Sequence, residues 1–131
     1  MPEHQKARVL REFYEAFESD DPEASVRRFL DPDITWHVTG DNPLAGTFNG
    51  PDEVWRAMTR YGEHSQGTLR LDTRSIFADD EHAVAIHRAT ANCADYDYDA
   101  HEVDVFHITA GRITEMWSFS EDQTATDRIW S

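Results

Sequence analysis

His37 is the side chain of this sequence whose surroundings most directly suggest acid–base chemistry. It stands between Trp36 and Val38, which share one face of a strand predicted over about 34–38, so His37 lies on the other face. If that face is the inner one, a poorly solvated imidazole titrates low and is neutral at pH 7, as a general base requires. The other interpretation is a structural histidine that is bonded to the loop around Asp41.

Histidines in the second half of the chain form another candidate constellation. A hairpin centred near Asp97 places His87 opposite His107, and facing imidazoles of this kind can bind a metal ion. Glu102 lies on the other side of its strand from His101, so no third ligand converges on the pair. We therefore expect no metal site, and we interpret His87 and His107 as half-buried strand residues.

The spacing of apolar residues indicates which elements hold these side chains. Apolar residues recur at intervals of three and four over about 4–19, which predicts a helix, and prolines predict further helix starts at Pro22 and Pro51. After the strand over 34–38, the period changes to two from Thr68 onward, and short turns separate four candidate strands near 68–78, 82–94, 99–109 and 112–119. Helices followed by an antiparallel meander predict an α+β fold in which a curved sheet wraps around the N-terminal helices.

Length and charge narrow the classes of function. The chain of 131 residues predicts a single domain, 1–131, with one pocket. Acidic residues outnumber basic ones by 26 to 12, so the net charge of −14 repels a phosphate backbone and we expect no nucleic-acid partner. No segment has the length and apolar character of a membrane span or signal peptide, so we expect no membrane partner and a cytoplasmic location. The loop before Pro51 lacks a Gly-x-Gly-x-x-Gly pattern and a lysine, and we expect no cofactor.

Four segments spread over nearly the whole chain resemble a known group of proteins. They are Phe13-Tyr14-x-x-Phe17, Phe29-Leu30-Asp31-Pro32-Asp33-Ile34-Thr35-Trp36, Pro43-Leu44-Ala45-Gly46-Thr47-Phe48-x-Gly50 and Gly111-Arg112-Ile113-Thr114-Glu115-Met116-Trp117. In their residues and in their order along the chain, they resemble the nuclear-transport-factor-2-like superfamily, and within it the SnoaL-like polyketide cyclases and ketosteroid isomerase. The resemblance implies a cone-shaped, strongly curved sheet closed by helices over an apolar cavity. It also implies a homodimer through the outer face of the sheet.

The resemblance to ketosteroid isomerase implies roles for individual residues. Aligned without gaps, His37 stands where that family has its general-base aspartate. Asp104 falls close to the family's protonated aspartate. The hydroxyl-bearing position of the first helix falls on Phe13, and Tyr14 is one step away, about 100° around the helix. Either Tyr14 or Asp104 is then the group that donates a hydrogen bond to a developing enolate.

The resemblance to polyketide cyclases implies an acid near the end of the last strand. Many SnoaL-like sequences carry an aspartate directly after the tryptophan of that strand, whereas Ser118 follows Trp117 here. The cyclase's acid is therefore displaced or missing. Asp122 is a candidate for this role from the start of the terminal helical turn.

A large aromatic set favours a flat, apolar ligand. We expect the following side chains, together with Ser118, to bind the substrate: Phe13, Phe17, Trp36, Trp55, Phe106 and Trp117. The leading hypothesis is a cofactor-independent isomerase or cyclase that transfers a proton next to a carbonyl group, with His37 as the base and Asp122 as a secondary acid. Two alternatives stay open: a non-catalytic domain that binds an apolar metabolite, and epoxide hydrolysis, for which Arg88 facing Asp104 is the visible constellation.

Overall fold

A computed structural model describes residues 3–93 and 96–131 of the chain. The elements of these residues are, in order, α1 (Gln5–Ala16), α2 (Pro22–Arg27), β1 (Leu30–Val38), β2 (Gly46–Asn49), α3 (Gly50–His64), β3 (Arg70–Ala78), β4 (Ala83–Cys93), β5 (Tyr96–Thr109), β6 (Arg112–Ser120) and α4 (Gln123–Ile129). The six strands form one curved sheet in the order β2-β1-β6-β5-β4-β3. The predicted α+β class, with a curved sheet and N-terminal helices, is confirmed.

The sheet departs from the predicted antiparallel pattern at one pair of neighbouring strands. β1 lies parallel to β6, and the other neighbouring strands are antiparallel. A parallel pair cannot be joined by a tight turn, and here the helix α3 and four strands separate β1 from β6 along the chain. The hairpin between β5 and β6 follows the sequence prediction, since Ala110 and Gly111 both have positive φ, +52° and +76°.

The core forms where the apolar face of α1 meets the concave face of the sheet. Asp21 begins α2 by accepting a hydrogen bond from the backbone N–H of Ala24, as expected of an N-cap before a first-turn proline. Phe13 of α1 is fully buried, and its ring meets that of Phe106 from β5 edge to face at 6.0 Å. The other fully buried large side chains of this core are Leu10, Val26, Ile34, Val54 and Ile113.

The register of the β4–β5 hairpin differs from the prediction. His87 lies opposite Glu102 and not opposite His107, and Cys93 lies opposite Tyr96. This register brings the small side chain of Ala83 opposite the large Phe106 within the core, whereas the predicted one does not. The predicted turn over 95–99 also differs from the structure, because β5 begins at Tyr96. Residues 94 and 95 lie outside the described residues.

No helix in the described part of the chain has the length and apolar character needed to cross a membrane.

Candidate functional site

A pocket of about 540 Å³ lies between the concave face of the sheet and the helices α1, α3 and α4. We call it the central pocket. Most of its wall is apolar, with aromatic rings and thioethers from Phe13, Trp36, Met58, Met116 and Trp130. A pocket of this size and character suits a small molecule of largely apolar surface.

Asp104 of β5 is the focus of the polar groups in this pocket. The Tyr14 hydroxyl donates to its Oδ2 at 2.5 Å, and the Ser118 hydroxyl donates to its Oδ1 at 2.6 Å. The His87 Nε2 lies 3.2 Å from Oδ2. We call these four residues the Asp104 cluster. Three donors from three different elements therefore surround one buried carboxylate, which is the arrangement that compensates for the burial of a charge.

Further hydrogen bonds fix the orientation of the cluster. The Thr73 hydroxyl lies 3.0 Å from Nδ1 of His87, so a donating Thr73 leaves the proton of a neutral imidazole on Nε2, where it points at Asp104. The Trp36 indole N–H donates to the Ser118 oxygen at 2.9 Å. Burial raises the pKa of Tyr14 well above its usual range, and the charge of Asp104 adds to this, so its phenol stays a protonated donor.

Glu102 is the next inward-facing residue of β5 and also lines the central pocket. Burial raises the pKa of Glu102 to about 7. A hydrogen bond from the Tyr98 hydroxyl to its Oε2, 2.7 Å long, lowers the pKa, and the charge of Asp104 raises it. Two carboxyl groups with different surroundings thus face one pocket, and a pKa of about 7 suits Glu102 to exchange a proton near neutral pH.

Six of the residues predicted to form the site line the central pocket: Phe13, Tyr14, Phe17, Trp36, Asp104 and Ser118. The expected contacts of Trp55 and Phe106 with a ligand are wrong. The Phe106 ring is fully buried inside the core, and the Trp55 ring stacks on that of Phe17 at 6.4 Å without reaching the pocket wall.

The expectation that His37 faces the pocket is wrong. Its Nε2 lies 2.7 Å from Oε2 of Glu115 on the outer face of the sheet, and its ring stacks on that of Trp117 at 5.5 Å. Trp117 therefore also lies on the outer face, away from the pocket. The cause is strand alternation, because the large Trp36 takes the buried face of β1 and turns its neighbour His37 outward.

The predicted roles of Asp122 as a secondary acid and of Arg88 as a partner of Asp104 are also wrong. Asp122 is an exposed N-cap of α4, where its side chain accepts from the backbone N–H of Ala125 at 3.0 Å, and it does not line the pocket. Arg88 faces away from Asp104 and forms two hydrogen bonds with Asp99 on the outer face, 3.0 and 2.6 Å long. The constellation needed for epoxide hydrolysis is therefore not assembled.

His87 and Glu102 are the site residues that sequence reasoning missed, although a signal for both exists. The inward positions of β4 read Ala83, Ala85, His87, Ala89 and Ala91, so one histidine interrupts a row of buried alanines. In β5, two acids follow each other on the buried face. A polar residue at an apolar position of a period-two pattern indicates a functional site or a satisfied network.

No group of three histidine, cysteine, aspartate or glutamate side chains within 3–93 and 96–131 could hold a metal ion.

Comparison with known proteins places this geometry in a family. The model of the SnoaL-like domain matches residues 10–116. An uncharacterized protein of Mycobacterium tuberculosis is 27% identical over 124 residues, which are 94% of this chain and 94% of that protein. The structure of Bal32a from a soil-derived mobile gene cassette has a TM-score of 0.90 at 27% identity, with 97% of each chain covered. A structure named as a SnoaL-like polyketide cyclase, from Jannaschia sp., has a TM-score of 0.78 at 15% identity over 100% of this chain and 98% of that chain, which shows the fold alone. With more than half of its length matched by the family model, this chain belongs to the SnoaL-like domain family, as its sequence resemblance predicted.

Proposed function

We propose that this protein is a cofactor-independent enzyme that transfers a proton at a carbon next to a carbonyl group of an apolar small molecule held in the central pocket. The observation that carries the proposal is Glu102, a carboxyl group in a mostly apolar pocket with a pKa raised to about 7. A general base is most effective when its pKa lies near the working pH, and such a base contributes about 10²- to 10⁴-fold in rate.

Glu102 replaces His37 in the role of general base. Its ionised carboxylate takes a proton from the carbon, the electrons of the C–H bond form a carbon–carbon double bond, and the carbonyl π electrons move to oxygen. An isomerase returns the proton from Glu102 to another carbon of the resulting enolate. In a cyclase, the enolate carbon attacks a second carbonyl of the same molecule, and the proton of Glu102 goes to the new alkoxide.

The Asp104 cluster supports this chemistry without taking the proton. Asp104 accepts from Tyr14, His87 and Ser118, so its lone pairs are largely occupied. Its negative charge contributes to the raised pKa of Glu102. We propose that Asp104 holds the surrounding donors in place and that Glu102 carries the proton.

The family supports a polyketide-like substrate class. One solved structure of the same fold is named as a SnoaL-like polyketide cyclase. Polyketides carry carbonyl groups separated by acidic CH₂ groups, which is the chemistry that a base of pKa about 7 requires.

Exchange of carbon-bound hydrogen in D₂O, followed by NMR on a panel of aryl and polycyclic β-diketones, tests the proposal. Glu102→Gln should lower the exchange rate about 10²- to 10⁴-fold, because the amide cannot accept the proton. The matched control is Glu121→Gln, which alters an exposed carboxylate bonded to His101 and should leave the rate unchanged. An exchange rate that Glu102→Gln leaves intact would remove this residue from the mechanism.

A non-catalytic binding domain for an apolar metabolite is the second candidate. It is favoured by the commitment of the Tyr14, Ser118 and Trp36 donors to protein acceptors, which leaves these groups saturated before a ligand arrives. The same panel separates the two functions. Saturable binding by the wild-type protein without any proton exchange would support the binding domain.

We further propose that the protein forms a homodimer through the outer face of the sheet. Apolar side chains lie next to each other there across three strands, since Val84 lies opposite Val105, Ile86 opposite Val103, and Val105 also opposite Trp117. All five are only partly buried. A contiguous apolar patch of this kind is typical of an association surface.

Light scattering after size-exclusion chromatography tests the dimer. Replacing Val103 and Val105 with glutamate should convert a dimer into a monomer, because four charges would meet across a two-fold axis. Thr124→Glu on the exposed side of α4 is the control and should leave the mass unchanged. A wild-type protein that elutes as a monomer at high concentration would contradict the proposal.

A further inference from the structure

Tyr61 of α3 lines the central pocket, and its protein acceptor holds its hydroxyl group only weakly. The hydroxyl donates to the backbone carbonyl of Leu44 at 3.3 Å. This contact is long for an O–H···O hydrogen bond. The Tyr14 and Ser118 hydroxyls differ, since their bonds to Asp104 measure 2.5 and 2.6 Å. Tyr61 can therefore exchange its acceptor for a ligand oxygen at lower cost than either of them.

The ring of Tyr61 is fixed even though its hydroxyl is not. Its ring meets that of Trp130 edge to face, with centroids 4.9 Å apart and planes at 90°, and it also contacts the ring of Trp36 at 6.1 Å. The residue stands on a 15-residue helix whose apolar face packs against β1. A donor on a rigid helix that two indole rings hold in place needs little reorganisation when a ligand binds.

Tyr61 and Glu102 both line the central pocket. Burial raises the pKa of Tyr61, and the charges of Glu102 and then Asp104 raise it further. The phenol is therefore neutral throughout the range in which Glu102 titrates. A neutral phenol beside a carboxylate can donate a hydrogen bond to a ligand oxygen while the carboxylate takes a proton from the same ligand.

We infer that Tyr61 is a catalytic residue that donates a hydrogen bond to the ligand's carbonyl oxygen and stabilises the negative charge that develops there when Glu102 removes the proton. The inference rests on the proposed function. In this step the C–H electrons form the double bond, the carbonyl π electrons move to oxygen, and the hydrogen of Tyr61 stays on the phenol. The bond to Leu44 is released as the bond to the ligand forms.

The kinetic test is Tyr61→Phe, which keeps the ring and its packing. Loss of one donor to a developing oxyanion should lower kcat for proton exchange about 10²- to 10³-fold, with little change in KM. Tyr96→Phe is the matched control, because the Tyr96 ring lies 4.1 Å beneath the Arg128 guanidinium and does not line the pocket. It should retain the wild-type kcat.

A binding measurement decides the role of Tyr61 independently of turnover. Dinitronaphthol is ionised at pH 6 and mimics the enolate at a pH where Glu102 is mainly protonated, whereas naphthalene has the same ring system without the oxygen. Tyr61→Phe should weaken dinitronaphthol binding at least tenfold and leave naphthalene binding unchanged. A purely structural role would weaken both ligands equally.

The outcomes separate the inference from the proposed function. If Glu102→Gln is inactive while Tyr61→Phe keeps the wild-type kcat and its preference for dinitronaphthol, the role of Tyr61 is overturned and the function stands. If the wild-type protein shows no exchange, the function fails, and the ratio of dinitronaphthol to naphthalene affinity still decides whether Tyr61 donates to a ligand.

Discussion

Replacing Asp104 with alanine should lower the free energy of unfolding by about 3–5 kcal/mol. The change removes the acceptor of three donors at once, those of Tyr14, Ser118 and His87. His87 is fully buried and Asp104 nearly so. A buried donor that loses its partner costs about 1–3 kcal/mol, and water that enters from the pocket recovers part of the sum. Urea denaturation followed by circular dichroism measures the difference.

The matched control for this prediction is Asp99→Ala on the same strand. Asp99 accepts two hydrogen bonds from Arg88, so the two substitutions remove carboxylates with similar numbers of partners. Asp99 is exposed, and solvent replaces what it loses, so its effect should be small. Equal destabilisation by the two substitutions would show that the Asp104 cluster contributes no more to stability than a surface ion pair.

The sequence predicts the elements well because their signals are local. The period of three and four along α1 and the proline starts of α2 and α3 depend on neighbouring residues, and each helix begins close to its predicted position. The two-residue turn at Ala110 and Gly111 is equally local.

The residues of the site are harder to predict because they depend on which face of a strand is buried. The alternation around His37 is equally compatible with either face, and the structure buries Trp36. The predicted partner of His87 is His107, and the observed partner is Glu102, five residues away. A shift by an odd number of residues exchanges the two faces of one strand, so an error in the position of the turn between β4 and β5 places the wrong side chains of β5 on the face of His87. The parallel pairing of β1 with β6 joins distant segments that carry no mutual signal.

Glu102→Gln should make the protein more stable at alkaline pH, by about 3 kcal/mol at pH 8, the energy that corresponds to the raised pKa of Glu102. The pKa of Glu102 rises from 4.5 to about 7 on folding, so the folded protein binds a proton between these values that the unfolded chain does not. Wild-type stability therefore falls as the pH rises from about 4.5 to about 7 through this group, and its contribution is constant above and below that window. Glutamine carries no charge at any pH and can still accept from Tyr98.

The difference in unfolding free energy between Glu102→Gln and the wild type is the quantity to measure, because the other titrating groups cancel in it. It should lie near zero at pH 4.5 and level off above pH 7, and urea denaturation at a series of pH values gives the curve. Glu121→Gln provides the control, with a difference that stays flat. A Glu102 difference that is also flat would mean that the group titrates normally and is a poor general base.

The combination of stability and activity expected for Glu102→Gln distinguishes the proposed function from a structural role. A carboxylate that is kept for the fold stabilises the native state, and its removal should lower stability. An ionised Glu102 in a mostly apolar pocket destabilises the native state at neutral pH. If Glu102→Gln raises stability and abolishes proton exchange, then Glu102 lowers the stability of the protein and is kept for catalysis. A variant that is more stable and fully active would instead show that the buried carboxyl group of Glu102 has no catalytic role, and another residue would then be the general base.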